Sequence, residues 1–580
     1  MVDLKAKPFF LSDEKINWVK ETINGMTLDE KIGQLFVLLK ATSGIDEEKI
    51  KEDLHKYNQG GHRWQGGNKE AAYEQNRVFQ MNSRYPLFIA ANCDDGGIGV
   101  APEGTFVATA AECGAGDGTD TAYHLGYVAG KEASAVGCNW MFNPVVDIYM
   151  NWRNTIVNTR SFGSDPEKVV ANARAYIKGV KDANPNMACT AKHFPGDGVE
   201  ELDQHLAMGV NDLSVEDWEK SFGYVYRTLI NEGLETIMVG HIALPEMSRK
   251  LRPGIHDKDI KPATLSKELL TDLLREDMGF NGVIITDASH MVGMSATSRR
   301  CDAVPGAIIA GCDMFLFAND VEEDIGFVKK AYMEKKLTDE RLNDALMRIL
   351  GMKAHLNMDG ERHFPDRSEI SCIGCEKHHE FAKQAADNCI TLVKDTRNYI
   401  PVNPQEKKRV FLVYIGSTPT TLGYKKDPVK QDVISELQEA GFDVDVCPNY
   451  FELELENGIS PMNFVKMLNH EKREEFVKKH DFALIVINIK GYAQENNVRV
   501  RWSINHSCEL PWYNEEIPTI GMSLNYTNHL IDLPQLHTFI NAYSPKREHI
   551  HAAIEKLTGK SEFKGKADES VFCGRWDTRL

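Results

Sequence analysis

The 580-residue chain has no apolar stretch near the roughly 20 residues needed to cross a bilayer. Its 42% hydrophobic and 26% charged residues make an ordinary globular composition, so a membrane span is excluded. The start, Met1 to Leu11, is broken by charge and lacks both the apolar core and the small-residue cleavage site of a signal peptide. A cytoplasmic location is expected. No basic face is concentrated anywhere, and the net charge of −18 opposes nucleic-acid or anionic-membrane partners. The 12 cysteines are scattered, among them Cys93, Cys113, Cys138, Cys189, Cys301, Cys312 and Cys573, and several fall in apolar runs. Reduced thiols are expected. Cys372 and Cys375 have C-x-x-C spacing, but no second pair completes a zinc site and no thioredoxin-like frame surrounds them. Internal repeats and low-complexity tracts are absent, and no cofactor is called for.

What is present is alternation. Thr27-Leu28-Asp29-Glu30 reads as a capping box opening an amphipathic helix, Glu30 to Val37. Short apolar runs then recur about every 45 to 50 residues: Pro86 to Ala91, Asn139 to Val146, Met187 to Ala191, Thr236 to Val239, Val283 to Ile285 and Met314 to Phe317. Helical patterns lie between them, Asp165 to Lys181, Ser214 to Asn231 and Ser266 to Met278, each starting on a plausible N-cap. Continuous apolar strands between helices argue for a parallel sheet covered on both faces. This many repeats favour closure into a TIM-like (β/α)8 barrel.

The fold class expected is therefore α/β, an N-terminal TIM-like barrel over residues 1–355 followed by a smaller α/β sandwich domain. A polar, irregular stretch over 356–377 reads as a linker. The second domain, 378–558, opens with a helix at His378 to Ile390. It continues with strands at Val410 to Tyr414, Asp443 to Val446, Ala483 to Ile489 and Thr519 to Met522, with helices at Val429 to Ala440 and near His470 to Lys479. It has no Gly-rich phosphate loop and hence no nucleotide site. The tail, 559–580, is expected to wrap as a strap.

In a barrel the chemistry sits where strands end. The residues there are Asn92 and Asp94, Asn143, Lys192 and His193, His241, Asp287, then Asn319 and Asp320, and they are expected to converge on one pocket. Asp287, straight after Val283-Ile284-Ile285, either attacks an electrophilic carbon or caps the next helix. In Asp203-Gln204-His205, residues two apart share a side, so Asp203 can hold one imidazole nitrogen while His205 offers the other. This triplet lies in a loop that Gly196 and Gly198 allow to turn tightly and move. Lys192 and His193 cannot both be buried without partners.

The chain resembles glycoside hydrolase family 3, and within it the bacterial β-N-acetylglucosaminidase branch. The resemblance rests on Met26 to Gln34, Asn158-Thr159-Arg160-Ser161-Phe162-Gly163-Ser164-Asp165-Pro166, Lys192 to Gly198 with Asp203 and His205, Pro262 to Ser266, and Gly279 to Asp287. It implies a retaining β-N-acetylglucosaminidase with Asp287 as nucleophile and His205, held by Asp203, as general acid and then base. Asp94, Arg160, Lys192, His193 and His241 are the substrate-binding candidates. The substrate implied is a small molecule or oligosaccharide bearing terminal β-linked GlcNAc; a homo-oligomer is compatible with the chain. Three departures stand out. The family's Asp-x-Glu-Gly-Gly appears as Cys93-Asp94-Asp95-Gly96-Gly97, which leaves Asp94 to replace the acid that grips distal hydroxyls. Asp197 stands where the family often has His, and the text after Asp287 reads Ala288-Ser289-His290-Met291.

Alternatives are a phosphorylase yielding GlcNAc-1-phosphate, since a neutral imidazole does not repel an anionic acceptor, and a β-glucosidase of the same family. Outside the family stand a metal-dependent hydrolase using His193, His205, His241 and Asp287, whose spacings match no H-x-H or H-E-x-x-H motif, and a non-catalytic sugar-binding protein. Residues Asn497 to Arg501 read as a charged strand edge, or as a segment of the second domain reaching the active site.

Overall fold

A computed structural model describes residues 2–41, 45–65, 67–416, 427–448, 471–490, 493, 499–500, 502, 509–572 and 574–580. It divides into two compact units, residues 1–110 with 119–381, and residues 111–118 with 382–580. The first is a closed barrel of eight parallel strands: β1 (Phe36–Ala41), β2 (Gly61–Gln65), β3 (Phe88–Ala91), β4 (Trp140–Met141), β5 (Ala188–Phe194), β6 (Thr236–Val239), β7 (Val283–Ala288) and β8 (Met314–Leu316). Each strand pairs with its neighbours in sequence, and β1 pairs with both β2 and β8 to close the ring. Strands β3, β5 and β6 are buried at every residue, the burial expected when helices cover one face and the barrel interior the other.

Side-chain caps start the covering helices as the sequence indicates. The Thr27 hydroxyl accepts from Glu30 N and the Glu30 carboxylate from Thr27 N at 2.8 Å, while Asp165 and Ser214 cap the helices that follow them. The first helix, however, ends at Gly33 and not at Val37. A Cβ on Gly33 would lie 2.0 Å from the Tyr57 carbonyl oxygen, so only glycine permits this approach, and Phe36 onward is the first barrel strand. Strand β2 went unread altogether. At β5 the strand runs on to Phe194, so Lys192 and His193 lie inside it, at a register shift against β6; such an irregularity re-aims side chains at a barrel rim.

Lys353 is a buried amine of the barrel unit. The Lys353 ammonium donates to Gln34 Oε1 at 2.7 Å and stands 5.1 Å from the Phe88 ring centroid. Burial, assisted by Arg362, pulls its pKa down to about 7. Between pH 7 and the ordinary lysine value the unfolded chain holds this proton and the folded chain does not, so stability rises with pH there, by at most about 1.4 kcal/mol per pH unit. Below pH 7 the buried charge is a burden. Lys353→Met is therefore expected to exceed the wild type in thermal midpoint at pH 6 and to lose that advantage by pH 9. A midpoint difference that does not vary with pH would contradict it.

The second unit carries a six-stranded sheet: β9 (Thr391–Asp395), β10 (Arg409–Gly416), β11 (Asp443–Val446), β12 (Phe482–Asn488), β13 (Thr519–Ser523) and β14 (Thr538–Asn541), in the order β9-β14-β13-β12-β10-β11. Only the β9–β14 pair is antiparallel. Val410, Leu412, Leu484, Val486, Ile520 and Ile540 form the centre of its core. The 378–390 helix is observed at Glu376–Cys389, and residues 559–580 contain two short 3₁₀ turns. Among the described residues no helix is long and apolar enough to cross a membrane. Asn497, Val498, Arg501 and Cys573 lie outside the described residues, whereas Arg499 ion-pairs with Asp532 of its own unit.

Candidate active site

Asp287 stands near the end of β7 with its side chain 14% exposed. Its Oδ1 accepts from the Ala288 backbone N–H at 2.7 Å, and its Oδ2 lies 3.8 Å from His193 Nε2. Burial works to raise its pKa, but His193, His241, the Ala288 N–H and His205 together leave it below the ordinary carboxylate value. It is ionised at neutral pH.

His193 is held from behind. Asp147 accepts from its ring Nδ1 at 2.7 Å, from its backbone N at 3.1 Å and from Asp197 N at 2.8 Å. With Nδ1–H committed to Asp147, Nε2 is the nitrogen turned to Asp287. Asp197 accepts from Asn154 Nδ2 at 2.8 Å, and burial together with Asp147 pushes its pKa up to about 7.

Across the pocket Asp94 accepts from Asn143 Nδ2 at 2.6 Å and Arg160 Nε at 2.8 Å and ion-pairs with the Lys192 ammonium at 3.6 Å. Burial opposes its ionisation, yet Lys192 and Arg160 hold its carboxyl far below the usual range. Lys192 is 2% exposed; burial lowers its pKa and Asp94 opposes that shift. The buried lysine thus has the partner its position demands.

The Asp203-Gln204-His205 loop closes as its spacing suggests. Asp203 Oδ1 accepts from His205 N at 2.8 Å and pairs with His205 Nδ1 at 2.6 Å. Asp203 is buried and His205 is 24% exposed, which leaves Nε2 for another molecule. Gln204 anchors the loop: its side-chain oxygen accepts from His241 N at 2.7 Å and its carbonyl from Gly293 N at 3.0 Å. A Cβ on Gly293 would come within 2.7 Å of that carbonyl, so the loop sits directly on the segment that follows Asp287.

Both ring nitrogens of His241 are engaged by the protein. Nε2 lies 3.0 Å from the Ala288 carbonyl, which can only accept, so Nε2 bears the hydrogen. Nδ1 pairs with the Thr264 hydroxyl at 2.8 Å, and burial lowers the ring's pKa and keeps it neutral. Asn319 and Asp320 do not join the pocket; Asp320 caps the helix Val321–Met333 through Glu323 N at 2.9 Å. Asp147, Asn154, Gln204 and Arg63 were not singled out by sequence reasoning. Among the described residues no group of three His, Cys, Asp or Glu side chains could hold a metal ion, so the metal-hydrolase alternative has no ligand set there.

A closed parallel barrel whose strand ends gather an ionised carboxylate, an Asp–His pair and a cluster of buried hydrogen-bonding charges is the architecture of a barrel enzyme with a polar substrate. The family model "Glycosyl hydrolase family 3 N terminal domain" matches residues 27–352. The chain belongs to glycoside hydrolase family 3. It is 37% identical, over 582 residues and the whole of both chains, to a protein of Cellulomonas fimi named beta-N-acetylglucosaminidase/beta-glucosidase. A beta-hexosaminidase of Pseudomonas aeruginosa is 33% identical over 201 residues, 35% of this chain and 56% of its own length. Among solved structures, beta-glucoside phosphorylase BglX bound to 2FGlc is similar with a TM-score of 0.88 and 35% identity, covering 97% of this chain and 98% of its own. A family 3 beta-N-acetylglucosaminidase from Paenibacillus sp. str. FPU-7 shares the fold, with TM-score 0.75 and 21% identity over 94% of this chain and 99% of its own.

Proposed function

We propose that this enzyme cleaves terminal β-linked N-acetylglucosaminides with retention, in two displacements. The observation that carries the reading is the pairing of Asp287, held ionised by His193 and the Ala288 N–H, with His205, held by Asp203. In the first step Asp287 attacks the anomeric carbon while protonated His205 gives its Nε2 proton to the departing oxygen. In the second, neutral His205 takes a proton from water, whose oxygen attacks the same carbon and releases Asp287. Asp94, Arg160, Lys192 and His193 bind sugar hydroxyls. His241 acts by fixing the Ala288 carbonyl, and with it the backbone whose N–H points at Asp287. The free thiols of the described cysteines support a cytoplasmic setting, and on this reading the chemistry belongs to residues 1–355.

A second reading keeps the first step and replaces water by phosphate. It is favoured by the full-length, 35% identical likeness to a structure named as a beta-glucoside phosphorylase. Aryl β-GlcNAc and aryl β-glucoside, each with and without phosphate, separate the outcomes. The main reading expects the GlcNAc substrate to be preferred and free GlcNAc to be the product in both buffers. Preference for the glucoside would overturn the sugar assignment, and a sugar 1-phosphate would overturn water as acceptor.

A further inference from the structure

Cys372 and Cys375, the C-x-x-C pair that the mechanism above does not use, stand at the two ends of one tight turn. The Cys375 N–H donates to the Cys372 carbonyl at 3.2 Å. Between them Ile373 has φ −70° and ψ 118°, and Gly374 has φ 71°. This is the backbone of a type II turn, whose third residue is glycine because φ is positive there. Such a turn brings its end Cα atoms within about 7 Å, and a disulfide joins Cα atoms about 4.4 to 6.8 Å apart. Both cysteines are half-buried, open enough for a small reagent. The turn is held from behind by Glu132, which is fully buried. Its carboxylate accepts from Gly374 N at 3.2 Å, from the Thr105 hydroxyl at 2.7 Å and from Thr105 N at 3.0 Å, and pairs with His378 Nδ1 at 2.6 Å. A Cβ on Gly374 would lie 2.4 Å from the Glu103 carbonyl oxygen, and one on Gly97 would lie 1.7 Å from Glu132 Oε2. The Thr105 carbonyl accepts from Ile98 N at 3.2 Å, so the cysteine turn backs the segment that follows Asp94.

We propose that Cys372 and Cys375 are a thiol-oxidation site that closes reversibly to a disulfide within this turn, with hydrogen peroxide or a small disulfide as the oxidant. With peroxide, Cys375 sulfur bonds to one oxygen and the O–O bond breaks. The departing hydroxide takes the Cys375 proton as water and leaves a sulfenic acid. Cys372 sulfur then attacks the Cys375 sulfur, the S–O bond breaks, and the second hydroxide leaves with the Cys372 proton as water. Two thiols are oxidised and one peroxide is reduced to two waters. With a small disulfide, two exchanges give the same ring and release two small thiols, and excess thiol runs them backwards. The roles of the two sulfurs follow from their surroundings. Cys375 directly precedes the helix Glu376–Cys389, and the His378 and His379 N–H groups donate to its carbonyl at 3.0 and 3.2 Å; a helix N-terminus favours a thiolate. Burial and the Glu132 charge push the Cys372 thiol up to about 11, and its Sγ donates to the Lys131 carbonyl at 3.9 Å, which suits the second, resolving position. Because the turn already brings the two residues together, the ring closes with Gly374 N still on Glu132.

Trypsin cleaves after Arg367 and Lys377, so both thiols fall in one peptide, residues 368–377, and ring closure is read as the loss of two hydrogens. The full-length enzyme is equilibrated with mixtures of reduced and oxidised glutathione, both native and in guanidinium chloride, then alkylated and digested. The expected result is a ring-closure constant at least about tenfold larger in the native chain than in the denatured one, since the folded turn has already lost the entropy of bringing its ends together. Dithiothreitol should reverse it fully, and kcat/KM on an aryl glycoside should stay within about threefold of the reduced enzyme because Glu132 keeps its partners. Exposed Cys301 should take up glutathione and form no ring. Cys372→Ser should stop at a mixed disulfide on Cys375. Equal constants in the native and denatured chains, or a glutathione adduct on wild-type Cys375 in place of the ring, overturns the proposal. So does a larger fall in kcat/KM on ring closure that Cys375→Ser, treated alike, does not show.

Discussion

Asp287→Ala is expected to lower kcat/KM on every glycoside substrate by roughly 10⁴- to 10⁶-fold, because no other group in the pocket can bond to the anomeric carbon. His193 Nε2 lies 3.8 Å from Asp287 Oδ2, and Asp147 holds its ring through Nδ1. The fold should survive the change. The hydrogen bond given up is to Ala288 N, the adjacent residue, and the removed carboxylate leaves a small cavity open to the pocket. A small anion such as azide can enter that cavity and attack from the same side, giving the α-glycosyl azide from an activated β-glycoside. Steady-state kinetics with and without azide check both parts. Activity within tenfold of the wild type would show that Asp287 is a structural carboxylate.

The second large effect is selective. His205→Ala should reduce cleavage of alkyl glycosides and disaccharides by about 10²- to 10⁴-fold, the usual range for loss of a general acid, while nitrophenyl-type substrates lose far less in glycosylation because their leaving oxygen needs little protonation. The geometry favours this assignment. Asp203 fixes Nδ1, the ring remains partly exposed, and Gln204 ties the loop to His241 N and Gly293 N beside Asp287. Asp203→Asn should resemble His205→Ala in its leaving-group dependence, since an amide no longer favours the protonated ring. Plotting log kcat/KM against leaving-group acidity for wild type and variant measures it; parallel lines would contradict the role.

The parts of the site visible in the sequence are those whose chemistry is local. Asp203 and His205 lie two residues apart in a glycine-bounded loop, and Asp287 follows an apolar run that only a buried strand explains. Lys192 with His193 announced a pocket because neither is stable buried without partners; Asp94 supplies that of Lys192 and Asp147 that of His193. What stayed hidden depended on tertiary structure. Strand β2, Gly61–Gln65, reads Gly-His-Arg-Trp-Gln and lacks the apolar run that marks β3 to β8, so Arg63 was passed over. Strand β1 was absorbed into the helix before it because the apolar pattern continues across Gly33. Asp147 lies several residues past the two-residue strand β4, and its bonds to His193 and Asp197 join positions 46 and 50 residues away. Asp320 shows the converse error: a carboxylate after a strand, it caps the following helix.

The central claim is that the Asp287 carboxylate becomes covalently joined to the anomeric carbon of the sugar. A 2-deoxy-2-fluoro glycoside with an activated leaving group tests it, because fluorine destabilises the cationic transition state and slows breakdown of the intermediate more than an activated leaving group slows its formation. After incubation and proteolysis, the account predicts that the peptide spanning Gly282 to Met291 gains the mass of one fluorosugar, that fragmentation places it on Asp287, and that Asp287→Ala stays unlabelled. A label on another residue, or turnover of the activated β-glycoside to an inverted sugar with no labelled peptide at all, would contradict the account.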